Sequence, residues 1–394
     1  MPLEELTRSL EQALNGGPAV VVGRQTDPAA RAALPPGTAL AAPTSGSTGR
    51  PKLVALGAQA VRASAAASAH RLGGAGHWLL TLPTDHIAGV NVVVRAVLAG
   101  AGLTAMGPGS FSAESFAAAA AALPAGPCYT SLVPTQLRRL AGAEPDGIGG
   151  LTRFAAVLVG GAALEPGLRR RAEAAGAVIV QTYGAAETCG GCVYDGEPLD
   201  GVEVAVAANG RIELAGPMLA LGYVPGRTDA PGGVGSSGAP TGAAYPGGAA
   251  GFFERHGRRW FASSDLGVWT ADGRLAVLGR SDHAITSGGH TVSPERVEEV
   301  LRGLPGVQDA LVVGLAEPAW GEEVTALVVP DAARPPSLRQ LRQAVKRELG
   351  PAHAPRRAAL VAALPTASVG KPDRRGGAAL AAQLEALGRL ERLG

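Results

Sequence analysis

Along the first 183 residues, apolar positions alternate between two textures. Short apolar runs predict strands at Ala19–Val22, Thr38–Ala42, Leu53–Leu56, Trp78–Leu82, Cys128–Leu132, Phe154–Val159 and Ala177–Val180. Between several of them, longer stretches predict helices at Ala58–Leu72, Ile87–Leu98, Ser112–Leu123, Pro134–Ala141 and Glu165–Ala175. Strand–helix alternation of this kind predicts an α/β layered domain around a largely parallel sheet.

The texture changes after Tyr183. Asn209-Gly210 and Asp272-Gly273 lie between apolar runs and predict hairpin turns, hence a β-rich subdomain near 198–280. Within it, Pro225–Gly251 is rich in Gly, Pro, Ala and Ser and predicts a mobile loop. From Arg280 onward the pattern predicts a smaller α+β unit. Ser293-Pro294-Glu295 opens a helix with a capping hydroxyl, a proline at the first position and an acid in the first turn. Strands at Ala310–Gly314 and Val324–Val329, a helix at Leu338–Leu349, a strand at Ala358–Leu364 and a helical tail follow. The organisation expected is therefore α/β, with a large domain over 1–280 and a small α+β domain over 281–394. No internal repeat is seen.

A length of 394 residues agrees with two domains. A net charge of +2 points away from nucleic acid and anionic membranes. The residues Met1–Leu10 carry Glu4 and Glu5 without an apolar run, unlike a secretory signal. The longest apolar stretch, Ile87–Met106, contains Arg95 and three glycines, so a buried helix followed by a strand is expected there and no membrane span. Three cysteines make no disulfide framework, and a cytoplasmic protein is expected. Lysine occurs only at 52, 346 and 371, which draws attention to each.

The most informative segment is Thr44-Ser45-Gly46-Ser47-Thr48-Gly49-Arg50-Pro51-Lys52, set between two predicted strands. Its glycines permit close backbone approach, its hydroxyls and N–H groups suit an anion, and Lys52 adds a point charge. The spacing is not that of a Walker A loop. A polyphosphate is the expected ligand.

Six motifs in order resemble the adenylate-forming superfamily of acyl-CoA ligases, adenylation domains and luciferases. The segment above is similar to its phosphate loop. Gly160-Gly161-Ala162 resembles the adenine-pocket turn, and Gln181–Thr188 resembles the motif holding Tyr183, Gly184 and Glu187. Ser264-Asp265-Leu266-Gly267 resembles the ribose-binding aspartate. Gly279–Pro294 resembles the hinge and the loop beyond it, and Pro365–Lys371 resembles the catalytic lysine loop.

The resemblance implies that ATP and a carboxylic acid give an acyl-adenylate, whose acyl group passes to coenzyme A. Attack of a carboxylate on the α-phosphate joins two anions, so positive charge and alignment are needed. Lys371 is then the catalytic bridge, Thr48 and Thr188 support phosphates, and Glu187 holds Mg²⁺. Thr44, Ser45, Gly46, Ser47, Gly49, Lys52, Gly160, Gly161, Ala162, Tyr183, Gly184, Asp265 and Arg280 complete the expected ATP site. The small domain is expected to rotate about Asp282 after adenylation and bring in Gly288, Gly289 and His290 to line a thiol tunnel. Many relatives associate as dimers, so a homodimer is also implied.

For the acid, Leu82–Gly89 resembles the pocket entrance with His86 as gate. Arg95, in an otherwise apolar helix, needs an anionic partner. That partner is either a protein carboxylate or a second carboxylate on the substrate. The o-succinylbenzoate–CoA ligases of menaquinone synthesis place a substrate-binding arginine on this helix. Ser131–Leu137 and the early position of the phosphate loop also resemble them. The expected acid is 2-succinylbenzoate, bound by His86, Arg95, Ser131 and Gly184. Two alternatives stay open: loading of a carrier protein with another acid, and a non-catalytic nucleotide-binding relative.

Several positions depart from the family pattern: Ala186 for the usual Thr, Ser263-Ser264 for Thr-Gly, and His283 and Thr286 for an acid and a lysine. The first two put the fine geometry at ribose and phosphates in doubt. Cys189-Gly190-Gly191-Cys192 lacks the second pair that zinc would require, and packing beside the nucleotide site is expected of it.

Overall fold

The computed structural model describes residues 1–23, 31–44, 52–107, 109–143, 147–224, 251–318, 321–366 and 373–393. The chain divides into two compact units: Met1–Ser263 with Trp269–Leu275, and Ser264–Val268 with Ala276–Gly394.

The first unit is built on a seven-stranded sheet among the described residues. Its strands run in the order Glu197–Pro198, Gly190–Tyr194, Ile179–Ala185, Ala156–Val159, Cys128–Leu132, His77–Leu80 and Leu103–Ala105. The last five in that order are parallel, and each of the first two pairs antiparallel with the strand that follows it in the order. Side chains alternate between two cores. Trp78, Leu80, Tyr129, Ala156 and Leu158 face one, while Leu79, Cys128, Leu132, Val157 and Val159 face the other. Both faces of the central strands are largely buried, which is why apolar residues dominate them. Helices Ala58–Arg71 and Ile87–Ala99 cover the first face; Ala113–Ala121, Pro134–Ala141 and Pro166–Ala174 cover the second.

The helix starts follow from the sequence. Ser112 accepts from the Ser115 amide at 3.1 Å, and Pro134 and Pro166 take the first helical positions. A helix at Leu3–Leu14 was not expected, yet Leu6, Leu10, Ala13 and Leu14 recur at helical spacing and are buried in the first core. A second sheet orders Val20–Val21, Thr38–Pro43, Leu53–Gly57 and Gly222–Val224.

The β-rich region behaves as expected. Asn209-Gly210 joins Glu203–Val206 to Arg211–Ala215, and Asp272-Gly273 joins Arg258–Trp269 to Leu275–Arg280. Residues 225–250 of the Gly/Pro-rich tract lie outside the described residues, and Gly251 already belongs to the strand Gly251–Arg255.

In the second unit, the long antiparallel pair Val307–Glu317 and Gly321–Pro330 is the centre of a six-stranded sheet among the described residues. Ala310 and Val312 face the helices Pro294–Arg302 and Leu338–Leu349, while Leu311 and Val313 face Arg374–Ala386. Ser293 caps its helix, accepting from the Arg296 amide at 3.4 Å. Among the described residues no helix is long and apolar enough to cross a membrane.

Candidate active site

The parallel strands of the first unit end along one sheet edge, and the expected site segments leave from it. Pro83–His86 follows His77–Leu80, Gly160–Ala162 follows Ala156–Val159, and Glu187 follows Ile179–Ala185. Ser131 lies near the end of Cys128–Leu132. Open α/β sheets bind ligands at this carboxyl edge. Hydrogen bonds to backbone carbonyls tie the segments together: Gly160 N donates to Leu132 O at 3.2 Å, Thr81 Oγ1 donates to Ser131 O, and Gln136 Nε2 donates to Thr81 O at 3.1 Å. Gly160 has to be glycine, since a Cβ there would lie 2.2 Å from Thr182 Oγ1. Gly161 and Ala162 are exposed.

Thr44 and Lys52 close the neck of the phosphate-loop segment. Thr44 N donates to Lys52 O at 2.8 Å, and Lys52 N donates to Thr44 Oγ1 at 3.3 Å. Ser45, Gly46, Ser47, Thr48 and Gly49 lie outside the described residues, as does Lys371.

Glu187 is 8% exposed, and no cation among the described residues lies within salt-bridge distance of it. Its Oε1 accepts from the Tyr223 hydroxyl at 2.7 Å. Its backbone oxygen accepts from Ala220 N at 2.8 Å. A carboxylate buried in this way suits an opposite charge beside it. Among the described residues no cluster of three or more His, Cys, Asp or Glu could hold a metal. That donor set fits Mg²⁺, which is commonly held by one or two protein carboxylates together with substrate phosphates.

The turn around Glu187 is held from several sides. Cys189 takes a left-handed backbone at φ 52°, and its carbonyl accepts from Asn91 Nδ2 at 2.7 Å and Ser64 Oγ at 3.3 Å. The Thr188 hydroxyl is spent on the turn itself, accepting from Ala185 N at 2.9 Å and lying 2.8 Å from Gly190 O. Gly184 packs against Gly190, whose carbonyl would lie 2.0 Å from an added Cβ. Tyr183 is half-buried, with its hydroxyl 3.3 Å from Ser263 Oγ. Cys189 and Cys192 are 1% exposed, and burial pushes both thiols up, Cys192 to about 12. Cys189 packs in the first core, and Cys192 packs with Val193, Ile212 and Leu214.

Along the helix Ile87–Ala99, residues 87, 91 and 95 share one face. Ile87 lies by Gly190, Asn91 holds Cys189, and Arg95 meets Tyr194. His86 precedes this helix, with Nε2 3.7 Å from Asp85 Oδ1. Arg95 lies about 12 Å further along than Ile87 at about 1.5 Å per residue. It is 9% exposed, donates to the Tyr194 hydroxyl at 3.2 Å, and sits 5.3 Å from the Trp78 ring centroid. Among the described residues no carboxylate pairs with it.

Asp265, Arg280, Asp282, Gly288, Gly289 and His290 fall in the second unit. Arg280 clamps Asp282 through two bonds of 2.8 and 2.7 Å and lies 3.6 Å from Asp265. Gly288 and Gly289, at φ 56° and 78°, form the two-residue turn joining Ile285–Ser287 to His290–Val292. Such a turn needs positive φ at both centres, which glycine supplies.

Asn91, Tyr194 and Tyr223 were not singled out from the sequence. Each meets its partner through tertiary packing or strand pairing, which leaves no local pattern in the sequence.

Residues 10–224 match the AMP-binding enzyme family, and residues 296–382 match the AMP-binding enzyme C-terminal domain. The chain is 42% identical over 340 residues to a probable 2-succinylbenzoate–CoA ligase of Mycobacterium tuberculosis, covering 85% of this chain and 82% of that one. It is 33% identical over 356 residues to the sulfoacetate–CoA ligase of Cupriavidus necator, covering 86% and 66% respectively. The structure of o-succinylbenzoate CoA synthetase from Bacillus subtilis with its acyl-adenylate intermediate matches with a TM-score of 0.69 at 22% identity, covering 95% of this chain and 80% of that one. That last likeness is one of fold.

Proposed function

Because this chain belongs to the AMP-binding enzyme family, we propose that it is a cytoplasmic, AMP-forming acid–coenzyme A ligase acting on 2-succinylbenzoate. The observation that carries the choice of acid is Arg95: a charge at 9% exposure that has a hydroxyl and a ring face, but no carboxylate, among the described residues. A second anionic group on the substrate would complete it. The two relatives above are named for acids that carry such a group, a carboxylate in one and a sulfonate in the other.

In the first half-reaction a carboxylate oxygen of the acid bonds to the α-phosphorus of ATP, and the bond to pyrophosphate breaks. Lys52, with the backbone of the loop it closes, binds the phosphates. Glu187 would hold Mg²⁺, which neutralises phosphate charge when bound. Tyr183 and Gly160–Ala162 flank the adenine, and Asp265 accepts from the ribose hydroxyls. Lys371 bridges the acid oxygen and the α-phosphate. In the second half-reaction the thiolate attacks the acyl carbon, AMP leaves, and the thiol proton passes to solvent. The second unit turns about Asp282 between the two steps, so its clamp on Arg280 has to move or break. His86 gates the acid, and the Gly288-Gly289 turn with His290 lines the thiol path.

The test is acid-dependent ATP–pyrophosphate exchange, followed by thioester formation with coenzyme A. Exchange without thioester indicates carrier-protein loading, and no AMP from any acid indicates a non-catalytic relative. Lys371→Ala should impair adenylation far more than thioester formation from preformed acyl-adenylate. For the acid, native enzyme should prefer 2-succinylbenzoate over 4-oxo-4-phenylbutanoate, which lacks the ring carboxylate. Arg95→Met should erase that preference; preference unchanged in a folded Arg95→Met enzyme rejects the dicarboxylate reading.

A further inference from the structure

We infer that Tyr223 is a positioning residue of the adenylation site, orienting the Glu187 carboxylate with its hydroxyl and seating the Lys52 ammonium on its ring. Tyr223 belongs to the short strand Gly222–Val224, paired antiparallel with Leu53–Gly57, where it lies opposite Val54. Its hydroxyl donates to Glu187 Oε1 at 2.7 Å, and its ring centroid lies 5.0 Å from Lys52 Nζ. One side chain therefore touches two charged groups, 135 residues apart in sequence, that the proposed reaction needs together.

The surrounding backbone supports this placement. Ala220 N donates to Glu187 O and Leu221 N donates to Ala55 O, both at 2.8 Å. The segment 220–223 thus fastens the Glu187 turn to the strand that begins just after Lys52. A carboxylate that receives one O–H bond keeps its other lone pairs for a hard cation while losing rotational freedom. The Lys52 contact is a cation–π pair, which seats the ammonium on the Tyr223 ring without neutralising it.

The inference rests on the reading that Glu187 holds Mg²⁺, and the test separates the two. Binding of Mn²⁺, as the probe, to the acid-free enzyme with a non-hydrolysable ATP analogue is read by water proton relaxation. The free Mg²⁺ dependence of ATP–pyrophosphate exchange is measured beside it. Tyr223→Phe keeps the ring and removes the hydroxyl. It should weaken Mn²⁺ binding and raise the half-saturating Mg²⁺ roughly tenfold, as expected for loss of one hydrogen bond to a charged group, with the KM for the acid unchanged. Tyr223→Leu should in addition raise the KM for ATP. Glu187→Gln, alone and combined with Tyr223→Phe, completes a cycle in which the Tyr223 effect should vanish once the carboxylate is gone. A Tyr223→Phe enzyme with native Mn²⁺ and Mg²⁺ dependence, or effects that simply add in the double variant, overturns the inference. Native Mg²⁺ dependence in Glu187→Gln itself overturns the magnesium reading beneath it.

Discussion

Glu295 gives the sharpest quantitative test of the second unit. It stands at the start of the helix Pro294–Arg302, with a side chain 20% exposed. Its carboxylate lies 2.8 Å from His283 Nδ1, accepts from Arg374 at 2.9 Å, and accepts from Ser293 Oγ at 3.0 Å. Burial alone would raise its pKa. The His283 hydrogen bond and the charges of Arg374 and His283 outweigh that and hold it down, from an ordinary 4.5 to about 2. A folded value below the unfolded one means the unfolded chain binds more protons in between. The stabilisation is therefore complete above pH 4.5 and is lost as pH falls toward 2. At about 1.4 kcal/mol per pH unit it amounts to about 3 kcal/mol at pH 7, and to about 2 kcal/mol at pH 3.5. Glu295→Gln keeps the shape and removes the charge. Denaturant-dependent hydrogen exchange in peptides covering Val307–Glu317 and Gly321–Pro330 would report the local stability of this unit. The variant should lose about 3 kcal/mol at neutral pH and less at pH 3.5. An equal penalty at both values, or one under about 1 kcal/mol at pH 7, would refute the assignment of stability to this carboxylate's ionisation.

Other outcomes follow from packing. A Cβ added at Gly89 would lie 1.9 Å from Pro83 O, a backbone atom that cannot step aside. Gly89→Ala should therefore cost about 1–3 kcal/mol in thermal unfolding and shift the loop that carries His86; a native melting temperature contradicts it. Phe116 is fully buried, with ring centroids 5.8 Å from both Phe111 and Phe154, so Phe116→Ala should lose about 3–5 kcal/mol, read by urea unfolding. Cys189 and Cys192 should resist iodoacetamide in the native protein at pH 7.5 and react in urea, because burial denies both of them the thiolate form. Native labelling at either would contradict their role as packing groups.

The central parallel strands His77–Leu80, Cys128–Leu132 and Ala156–Val159 were legible because both of their faces are largely buried, so apolar residues dominate each between breakers. The paired strands of the second unit were read too short for the opposite reason. Val307–Glu317 and Gly321–Pro330 extend past their apolar centres into Asp309, Glu322 and Glu323, where pairing continues beside polar side chains. Hydrogen bonding in the ladder does not require apolar residues, so hydropathy marks the centre of such a strand and misses its ends. The N-terminal helix escaped notice because its few leucines, spaced three and four apart, sit among charged and polar residues.

The candidate site divides along a similar line. Groups proposed to touch ATP or the acid come in contiguous strings, because a phosphate or an adenine is met by consecutive backbone units, and those strings were visible in the sequence. Groups that hold them in place do not. Glu187 and its turn depend on Ser64, Asn91, and Ala220 with Tyr223, contributed by three separate stretches of the chain. Tyr223 reaches Glu187 only because Gly222–Val224 pairs with Leu53–Gly57 in one register. A slip by one residue would turn the phenol to the opposite face. Such a residue carries no local signature, since its partner is chosen by strand pairing. The proposed chemistry of this chain is therefore encoded in short strings, while its geometry is encoded in the registers that bring those strings together.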